Sequence, residues 1–317
     1  MSAGPQLAFD RATGAFDGAS AREQLAAYAF QAGARLSSAW SYRGFAAGCR
    51  AVRSVLPGRD ITVRLNDDAQ FAFPYGDGYW SKLLNRSFSY ENELELLFQH
   101  SADVDYTLLD CGANYGYWSV LVSSAPYGSH KAIAIEPSSQ NFARLKNNAE
   151  INGNRFEAMK CAIGAARGTA RLSGTKHEAF SIAGGDGGEE VPVIALDNLL
   201  DDGKVSAGGK FLIKLDVDGV EIEAIKGGTR LLQGDSVLLC EEHGNDPHHT
   251  VSRYILEQTP LKLIVYDPRS NQLETVTKLS ILDRIKVSTH VGYNVFGTAS
   301  AFWQDRISAV NAARRAQ

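Results

Sequence analysis

From residue 106 onward, short apolar runs alternate with segments whose apolar residues recur every three to four positions. The runs predict buried strands and the intervening segments predict helices. We expect strands at Tyr106–Cys111, Ala132–Ile135, Ala158–Ile163, Phe211–Asp216, Val237–Cys240, Leu261–Tyr266 and Tyr293–Thr298. Strands that alternate with helices are typical of a parallel sheet covered on both faces. The pattern therefore predicts a doubly wound α/β fold.

The first hundred residues have a different pattern, which predicts a mixed α+β extension. Helical periodicity covers Ala21–Ala32 and Trp40–Val55, and the alternating segments Ile61–Leu65 and Gln70–Phe73 predict a hairpin. A further helix is expected over Glu91–His100.

These patterns divide the chain into three parts: an N-terminal extension and candidate substrate cap (1–100), a main domain (101–300) and a C-terminal helix (301–317). Within the main domain, the glycine-rich segment Ala183–Glu190 predicts a loop able to cover a substrate, because few of its residues can bury apolar surface.

Composition narrows the class of protein. The chain has 317 residues, 44% of them hydrophobic and 21% charged, with a net charge of −4. No run approaches the ~20 apolar residues that span a bilayer, and Met1–Asp17 lacks a signal-peptide pattern, so we expect a cytoplasmic protein without a membrane span. The negative balance disfavours nucleic acid as a partner, because such binding depends on neutralising phosphates. The oligomeric state is not readable from the sequence.

Two further groups of residues stand out. The cysteines at 49, 111, 161 and 240 are far apart, and the last three fall in predicted strands, so we expect buried, inert thiols. Arginines gather between Arg35 and Arg64 with little acid nearby. This cluster fits a solvated helix face, or a grip on an anionic acceptor or partner surface.

A glycine-rich turn follows the first predicted strand of the main domain, in the run Asp110-Cys-Gly-Ala-Asn-Tyr-Gly116. Glycine lets the backbone turn sharply and approach a ligand closely. The third glycine of the dinucleotide pattern is missing, which favours a nucleoside without a pyrophosphate. Glu136 ends the next strand, at the distance expected of an acid that binds ribose hydroxyls, although a strand-end carboxylate can also simply face solvent.

These segments resemble the FkbM family of class I S-adenosylmethionine-dependent methyltransferases. The resemblance covers roughly residues 106 to 244. Its motifs are Asp110–Gly116, Glu136-Pro137 with Asn141, Leu145 and Asn148, Ala195-Leu-Asp-Asn-Leu-Leu200, and Lys214-Leu-Asp-Val-Asp-Gly-Val-Glu221. The chain departs from the commoner pattern at Asp218, where glutamate is expected.

The resemblance implies a Rossmann-like sheet of seven strands with the last one antiparallel, and S-adenosylmethionine, converted to S-adenosylhomocysteine, as the cofactor. Carried over by residue, it implies that Asp110, Gly112, Asn114 and Gly116 hold the methionine portion and that Glu136 holds the ribose. Ala162 and Ile163 are then placed to flank the adenine. The implied acceptor is a hydroxyl of a sugar, glycolipid or secondary metabolite.

Transfer to a hydroxyl benefits from a nearby base, and the ends of the fourth and fifth strands offer candidates. We predict His243 as the base, with Asp216 and Glu241 orienting the acceptor or the base. A loop histidine satisfied by neighbouring carboxylates is the alternative. Asp218 and Glu221 are expected to cap the following helix.

The acidic and histidine residues near residue 243 also invite a metal site: Glu241, Glu242, His243, Asp246, His248 and His249. Their spacing matches no fixed metal motif, so no metal ligand is assigned. The aromatics Tyr75, Tyr79 and Trp80 suit packing within the extension, or stacking on a sugar or planar ring.

Two other functions remain open at this point. A dinucleotide-dependent oxidoreductase shares the strand-turn-helix pattern but should carry the third glycine. A non-catalytic S-adenosylmethionine-binding module would keep the pocket without the chemistry. Methylation of nucleic-acid amines is disfavoured, because the position after the fourth strand holds Asp216-Val-Asp-Gly219 and not an Asn/Asp-Pro-Pro-aromatic tetrapeptide.

Overall fold

The computed structural model describes residues 6–173, 181–183, 188–286, 289 and 291–315. Within them the strands, numbered in chain order, are β1 (Leu7–Asp10), β2 (Phe16–Asp17), β3 (Asp60–Asn66), β4 (Ala69–Pro74), β5 (Thr107–Cys111), β6 (Lys131–Ile135), β7 (Glu157–Met159), β8 (Ala162–Gly164), β9 (Gly168–Ser173), β10 (Ser181–Ala183), β11 (Glu189–Ala195), β12 (Lys210–Leu215), β13 (Asp235–Glu242), β14 (Lys262–Asp267), β15 (Gln272–Thr275) and β16 (Tyr293–Thr298).

The α-helices of the described residues are α1 (Ala21–Ser37), α2 (Phe45–Arg53), α3 (Asn92–Gln99), α4 (Tyr117–Val122), α5 (Ser139–Ile151), α6 (Asn198–Asp201), α7 (Glu221–Lys226), α8 (Thr229–Gln233), α9 (Thr250–Gln258), α10 (Ser280–Ile285) and α11 (Ala301–Arg315). Short 3₁₀ turns occupy Ser38–Trp40, Trp80–Leu84 and Ala125–Tyr127. Across the described helices, none is both long enough and apolar enough to cross a bilayer.

The main sheet has the order β15-β14-β16-β13-β12-β5-β6-β7. Strands β7, β6, β5, β12 and β13 pair in parallel, and β16 runs antiparallel to both β13 and β14. The seven strands from β7 to β14 therefore form the expected Rossmann-like sheet with its last strand reversed. Strand β15 adds an eighth strand at the edge, in a segment for which the sequence analysis predicted no strand.

The third predicted strand, Ala158–Ile163, is wrong as a single element. Its first half is β7, at the edge of the main sheet. Its second half is β8, which pairs with β11 in a separate sheet of order β10-β9-β11-β8. An apolar run shows that a segment is buried but cannot show which neighbour pairs with it. Of the glycine-rich segment predicted as a loop, residues 184–187 lie outside the described residues.

The extension forms its own sheet, β2-β1-β3-β4, and contains the predicted hairpin β3–β4. Its edge is joined to α5 by two asparagines. Asn148 accepts a hydrogen bond from the Ala72 amide at 2.7 Å and donates to the Ala72 carbonyl at 3.1 Å. Asn152 does the same with Gln70 at 3.0 and 2.6 Å. Because each side chain satisfies both backbone groups of an edge strand, the extension is fixed against the main domain.

The hydrophobic core continues from the extension into the main domain, so the two share one interior. The C-terminal helix α11 belongs to it, since Trp303, Ile307 and Val310 are buried there and the Trp303 indole donates to the Asp235 carbonyl at 3.0 Å. All four cysteines are free and buried, as expected. Burial raises the pKa of Cys49 to about 12 and that of Cys161 to about 11, which keeps both thiols protonated.

Candidate active site

A cavity of about 520 Å³ lies at the carboxyl ends of β5, β6, β12 and β13, where ligands bind in open α/β sheets. The site residues predicted from the sequence line this cavity, with the exception of Gly116. Those brought together are Asp110, Gly112, Asn114, Glu136, Ala162, Ile163, Asp216, Glu241 and His243. The three aromatics Tyr79, Trp80 and Tyr90 reach the same cavity from the extension and the segment before α3.

Gly112 lies where the ends of β5, β6 and β12 come into contact. Its φ is +77°, and a Cβ at this position would lie 1.7 Å from the Asp216 carbonyl oxygen. The amides of Gly112 and Ala113 both donate to the Ile135 carbonyl, at 2.9 and 3.0 Å. The ends of β5, β6 and β12 are therefore held in contact by backbone atoms, and no residue with a side chain fits at position 112.

Gly116 has a different role from the one implied by the resemblance. It precedes α4 with a φ of +85°, and a Cβ here would lie 2.5 Å from Leu145 Cδ1 of helix α5. The glycine allows α4 and α5 to approach closely within the core. The structure therefore does not bring Gly116 to the cavity.

The Glu136 carboxylate is buried and held by backbone amides. The Asn114 amide donates to its Oε2 at 2.9 Å, and the Ser138 amide donates to its Oε1 at the same distance. Burial raises the pKa of Glu136 to about 7, against these hydrogen bonds, which lower it. The glycine turn and the end of β6 thus present one oriented carboxylate to the cavity, with lone pairs left to accept from a ligand hydroxyl.

Asn114 also ties the turn to the extension. It adopts a left-handed conformation, with φ of +52°. Its side-chain oxygen accepts from the Trp80 indole at 3.2 Å and from the Tyr115 amide at 2.9 Å. The extension therefore contributes directly to the shape of the turn that the sequence assigned to the cofactor.

Lys214 is the one buried lysine of the described cavity lining, and the sequence analysis gave it no role of its own. Its side chain is only 4% exposed, and its Nζ lies 2.9 Å from Asp216 Oδ2. Desolvation would lower the pKa of Lys214, but the carboxylates of Asp216, Glu91 and Asp110 outweigh it and hold the pKa well above the ordinary value. A lysine inside the apolar run Phe-Leu-Ile-Lys-Leu was the available signal, because an unpaired charge in a buried strand is costly.

Asp216 and Glu241 form a hydrogen-bonded carboxyl pair. Burial and the negative charge of Asp216 raise the pKa of Glu241 well above the ordinary value. Burial opposes ionisation of Asp216 too, but Lys214 and the hydrogen bond from Glu241 outweigh it and lower the Asp216 pKa. We assign the proton to Glu241 and the charge to Asp216. The Glu241 carboxyl packs on Gly292, where a Cβ would lie 2.0 Å from its Oε1.

His243 follows β13 at the cavity wall and is partly exposed. Its Nε2 lies 3.7 Å from Glu221 Oε1, which is an electrostatic contact and not a hydrogen bond. Glu221 is itself buried and accepts from the Gly219 amide at 3.0 Å. The expectation that Asp218 and Glu221 cap helix α7 is wrong, because that helix begins without a side-chain cap. Asp218 instead lines the cavity, and burial raises its pKa to about 6.

Glu91 is a further buried carboxyl whose pKa responds to the charges of Lys214 and Asp216, and the sequence analysis did not identify it. It accepts from the Trp118 indole at 2.5 Å and from the Asn294 amide group at 3.2 Å. Burial, together with the charge on Asp216, raises its pKa to about 7, although Lys214 opposes the shift. Glu91 precedes a helix far from the other acids in the sequence, so no local pattern could have connected it to them.

Aromatic side chains form the wall opposite the strand ends. Trp80 stacks on Tyr117 with ring centroids 5.6 Å apart, and the Tyr79 hydroxyl lies 3.0 Å from that of Tyr90. Tyr75 is buried elsewhere and donates to the Glu23 carbonyl. Of the three aromatics singled out from the sequence, Tyr75 therefore packs within the extension, whereas Tyr79 and Trp80 both pack and face the cavity.

The residues considered as a metal cluster do not meet. Successive residues of a strand point to opposite faces, so Glu241 faces the cavity while Glu242 accepts from Ser252 at 2.6 Å on the other side. His249 contacts the Tyr293 hydroxyl at 2.6 Å and Asp283 at 2.9 Å. Within the described part of the chain, no group of three or more potential metal ligands occurs.

Comparison with known proteins gives a consistent result. The model of the methyltransferase FkbM domain matches residues 110–259. The chain is 26% identical over 160 residues to the hexuronic acid methyltransferase AglP of Haloferax volcanii, an alignment that covers 50% of this chain and 64% of that protein. The chain therefore matches slightly less than two thirds of that relative.

Two solved structures of methyltransferases are also similar. The methyltransferase FkbM from Methylobacillus flagellatus KT aligns with a TM-score of 0.39 and 16% identity, over 61% of this chain and 43% of that one. The precorrin-6y C5,15-methyltransferase from Geobacter metallireducens GS-15 aligns with a TM-score of 0.35 and 13% identity, over 65% and 87%.

Proposed function

We propose that the protein is an S-adenosylmethionine-dependent methyltransferase that acts on a hydroxyl group of a sugar, because the model of the methyltransferase FkbM domain matches residues 110–259. The observation that carries the proposal is the Glu136 carboxylate, held by two backbone amides beside a glycine turn and facing the cavity. A carboxylate in this place suits the two hydroxyls of a ribose.

The charge of the cavity fits the same cofactor. Among the described residues that line it, five carry carboxyl groups, one is a lysine and none is an arginine. A lining with this balance favours a ligand with positive groups, such as a sulfonium and an α-ammonium, over a pyrophosphate. Asp110, Gly112 and Asn114 are placed to hold the methionine portion and Glu136 the ribose, with Ala162 and Ile163 beside the adenine.

When bound, S-adenosylmethionine supplies an already activated methyl group, so the protein chiefly needs to position the acceptor and remove its proton. We assign proton removal to His243, since a neutral imidazole can accept a proton near neutral pH. Asp216, the charged member of the carboxyl pair, attracts the imidazolium that forms. Glu241, the protonated member, donates its one O–H to Asp216, and its other oxygen can accept a hydrogen bond that orients the acceptor hydroxyl.

The aromatic wall supports a sugar as the acceptor. Tyr79, Trp80 and Tyr90 present flat apolar faces with polar edges, which suit a ring that is apolar on its faces and hydroxylated on its rim. The relative's name supports the same class, since AglP acts on a hexuronic acid. The extension then serves as the substrate cap, because it supplies Tyr79 and Trp80.

Calorimetry with S-adenosylhomocysteine and with NAD tests the cofactor. We expect saturable binding of the former and no heat with the latter. Binding of NAD alone would support the oxidoreductase, and heat with neither compound would remove the proposal.

Transfer is tested with isotopically labelled methyl donor and the p-nitrophenyl glycosides of glucose and glucuronic acid. We expect a labelled product that survives mild alkali, because a methyl ether is stable there and a methyl ester of the uronate is not. An alkali-labile product would contradict hydroxyl transfer. Cofactor binding without product from either sugar would favour the non-catalytic module or a different acceptor class over our proposal.

A further inference from the structure

The extension exposes an unusual set of apolar side chains. Five large hydrophobic residues between the start of α1 and the turn just after α2 are between 67% and 75% exposed: Leu25, Tyr28, Leu36, Trp40 and Val55. The described remainder of the chain adds only Val291 to this class. Contiguous exposed apolar surface on a soluble domain marks an interaction site more often than chance.

On helix α1 these residues share one side. Glu23, Ala26, Ala27, Phe30 and Ala34 are buried, and at 100° per residue they cluster on the face that packs on the core. Leu25, Tyr28 and Leu36 fall on the opposite face, and Trp40 follows in the 3₁₀ turn. The helix is therefore apolar toward the core and, separately, toward solvent.

The same segment carries charge of a single sign. Residues 24–58 contain four arginines and no aspartate, glutamate, lysine or histidine. Arg35, Arg43, Arg50 and Arg53 are all exposed. The segment thus carries +4 in a chain of net charge −4, which leaves −8 on the rest. An anionic surface attracts this segment and repels the remainder, and so sets the orientation of the whole molecule.

We propose that the helical docking face, defined by Leu25, Tyr28, Leu36, Trp40 and the four arginines, binds the surface of an anionic lipid membrane. Tyrosine and tryptophan favour the boundary between headgroups and hydrocarbon, and arginines attract anionic headgroups. Apolar residues among cations without acids are typical of interfacial membrane binding.

Helix α2, which carries Arg50 and Arg53 of the docking face, packs behind the aromatic wall of the cavity. A Cβ on Gly78 would lie 2.8 Å from Ala46 Cβ of helix α2. The Lys82 ammonium lies over the rings of Tyr42 and Tyr79, at 5.0 and 4.1 Å from their centroids, and Tyr79 lines the cavity. Docking would therefore bring this wall close to the lipid headgroups, with α2 in between.

Sedimentation with vesicles tests the proposal on the full chain. We expect binding to vesicles of phosphatidylglycerol and phosphatidylcholine, and little to phosphatidylcholine alone. Each arginine near an anionic surface contributes about 1 kcal/mol, roughly fivefold, so Arg43→Gln with Arg50→Gln should weaken binding about 25-fold. Leu36→Ser with Trp40→Ser should weaken it as well, because the face inserts apolar groups. The matched control, Arg269→Gln with Lys278→Gln, removes two exposed cations elsewhere and should change little.

Thermal melts of each variant verify that the fold is intact. The proposal is overturned if anionic vesicles fail to bind the wild type, or if the control pair weakens binding as much as the test pair. It is also overturned if the apolar variant binds like the wild type, which would indicate nonspecific adsorption of charge. Sedimentation velocity without lipid provides a last check, since self-association abolished by Leu36→Ser with Trp40→Ser would assign the face to a second copy of the chain.

Discussion

The two walls of the cavity are built in different ways. The cofactor wall comes from one stretch of chain, between Asp110 and Asn141, and backbone amides hold its key carboxylate. The rest of the lining, here called the opposite wall, combines Tyr79, Lys214 and His243 from separate parts of the sequence. There the contacts are mainly between side chains, and a shared proton and a buried lysine set the charge.

This difference has a physical consequence. Backbone contacts are fixed by local conformation, so the cofactor wall should not tolerate changes in backbone shape, and its sensitivity to pH comes from the raised pKa of Glu136. The opposite wall depends on several titrating groups with raised pKa values, so it should tolerate small shape changes but not changes in charge. The following predictions separate these two sensitivities.

The largest effect is expected for Gly112→Ala. The new methyl group would meet the Asp216 carbonyl, 1.7 Å away, in a backbone position that cannot give way easily. We expect a loss of more than about 4 kcal/mol in the free energy of unfolding, measured with urea, or failure to fold. Gly153→Ala is the matched control, because its φ of +69° is similar and no atom lies within 4 Å. It should cost only about 1–2 kcal/mol. Equal losses would show that φ alone, and not contact with β12, makes Gly112 necessary.

His243→Ala should lower kcat by about 10²–10⁴-fold and leave the affinity for S-adenosylhomocysteine unchanged. This tests whether the opposite wall can lose its base without disturbing cofactor binding at the cofactor wall. The exposed His248 serves as control, since His248→Ala removes an imidazole from the same loop. Unchanged kcat in the first variant would exclude His243 as the base.

Glu136→Gln should weaken S-adenosylhomocysteine binding and change how the stability of the cofactor-free protein depends on pH. The pKa of Glu136 is raised from 4.5 to about 7. The folded state therefore favours the protonated form, and the stability it contributes is present below pH 4.5 and lost as pH rises to about 7. From pH 4.5 to pH 8 the free energy of unfolding of the variant should rise, relative to the wild type, by up to about 3 kcal/mol. The glutamine NH2 cannot accept from the second backbone amide, which adds a cost of about 1–3 kcal/mol that does not vary with pH.

Urea titrations at the two pH values measure this change, and calorimetry measures binding. Glu150→Gln, on the exposed side of the following helix, should alter neither quantity. A Glu136→Gln protein with unchanged affinity would contradict the assignment of Glu136 to the ribose.

The smallest effect is expected from chelation. Glu242 and His249 are engaged with Ser252, Tyr293 and Asp283, away from the cavity. Methyl transfer should therefore continue at the same rate after exhaustive dialysis against EDTA. Activity lost on dialysis and restored by a divalent cation would show that the opposite wall carries a metal in addition to its lysine.

Much of the cofactor wall could be predicted from the sequence. An apolar run, two glycines and an acid after the next strand are local features, and each follows from the conformation of a few consecutive residues. The alternation of apolar runs and helical segments predicted the parallel, doubly wound character of the main sheet, but not its strand order. The break between β7 and β8 was not predicted either, because an apolar run does not show which strand pairs with it.

Only part of the opposite wall could be predicted from the sequence. Asp216, Glu241 and His243 could be named because they follow predicted strands, but Glu91 and the role of Lys214 could not. The sequence also does not show whether a glycine of the turn faces the ligand or the core. Gly116 packs against Leu145 in the core.

The sequence by itself determined the alternation of strands and helices, the glycine turn and the position of Glu136 at the end of a strand, because periodicity and turn conformation are properties of neighbouring residues. Only the tertiary structure decided which acids share a proton, which lysine offsets their negative charge and which of the candidate metal ligands lie far apart. Electrostatic energy depends on distance and burial between groups far apart in the chain, and neither is set until the strands and the extension have packed.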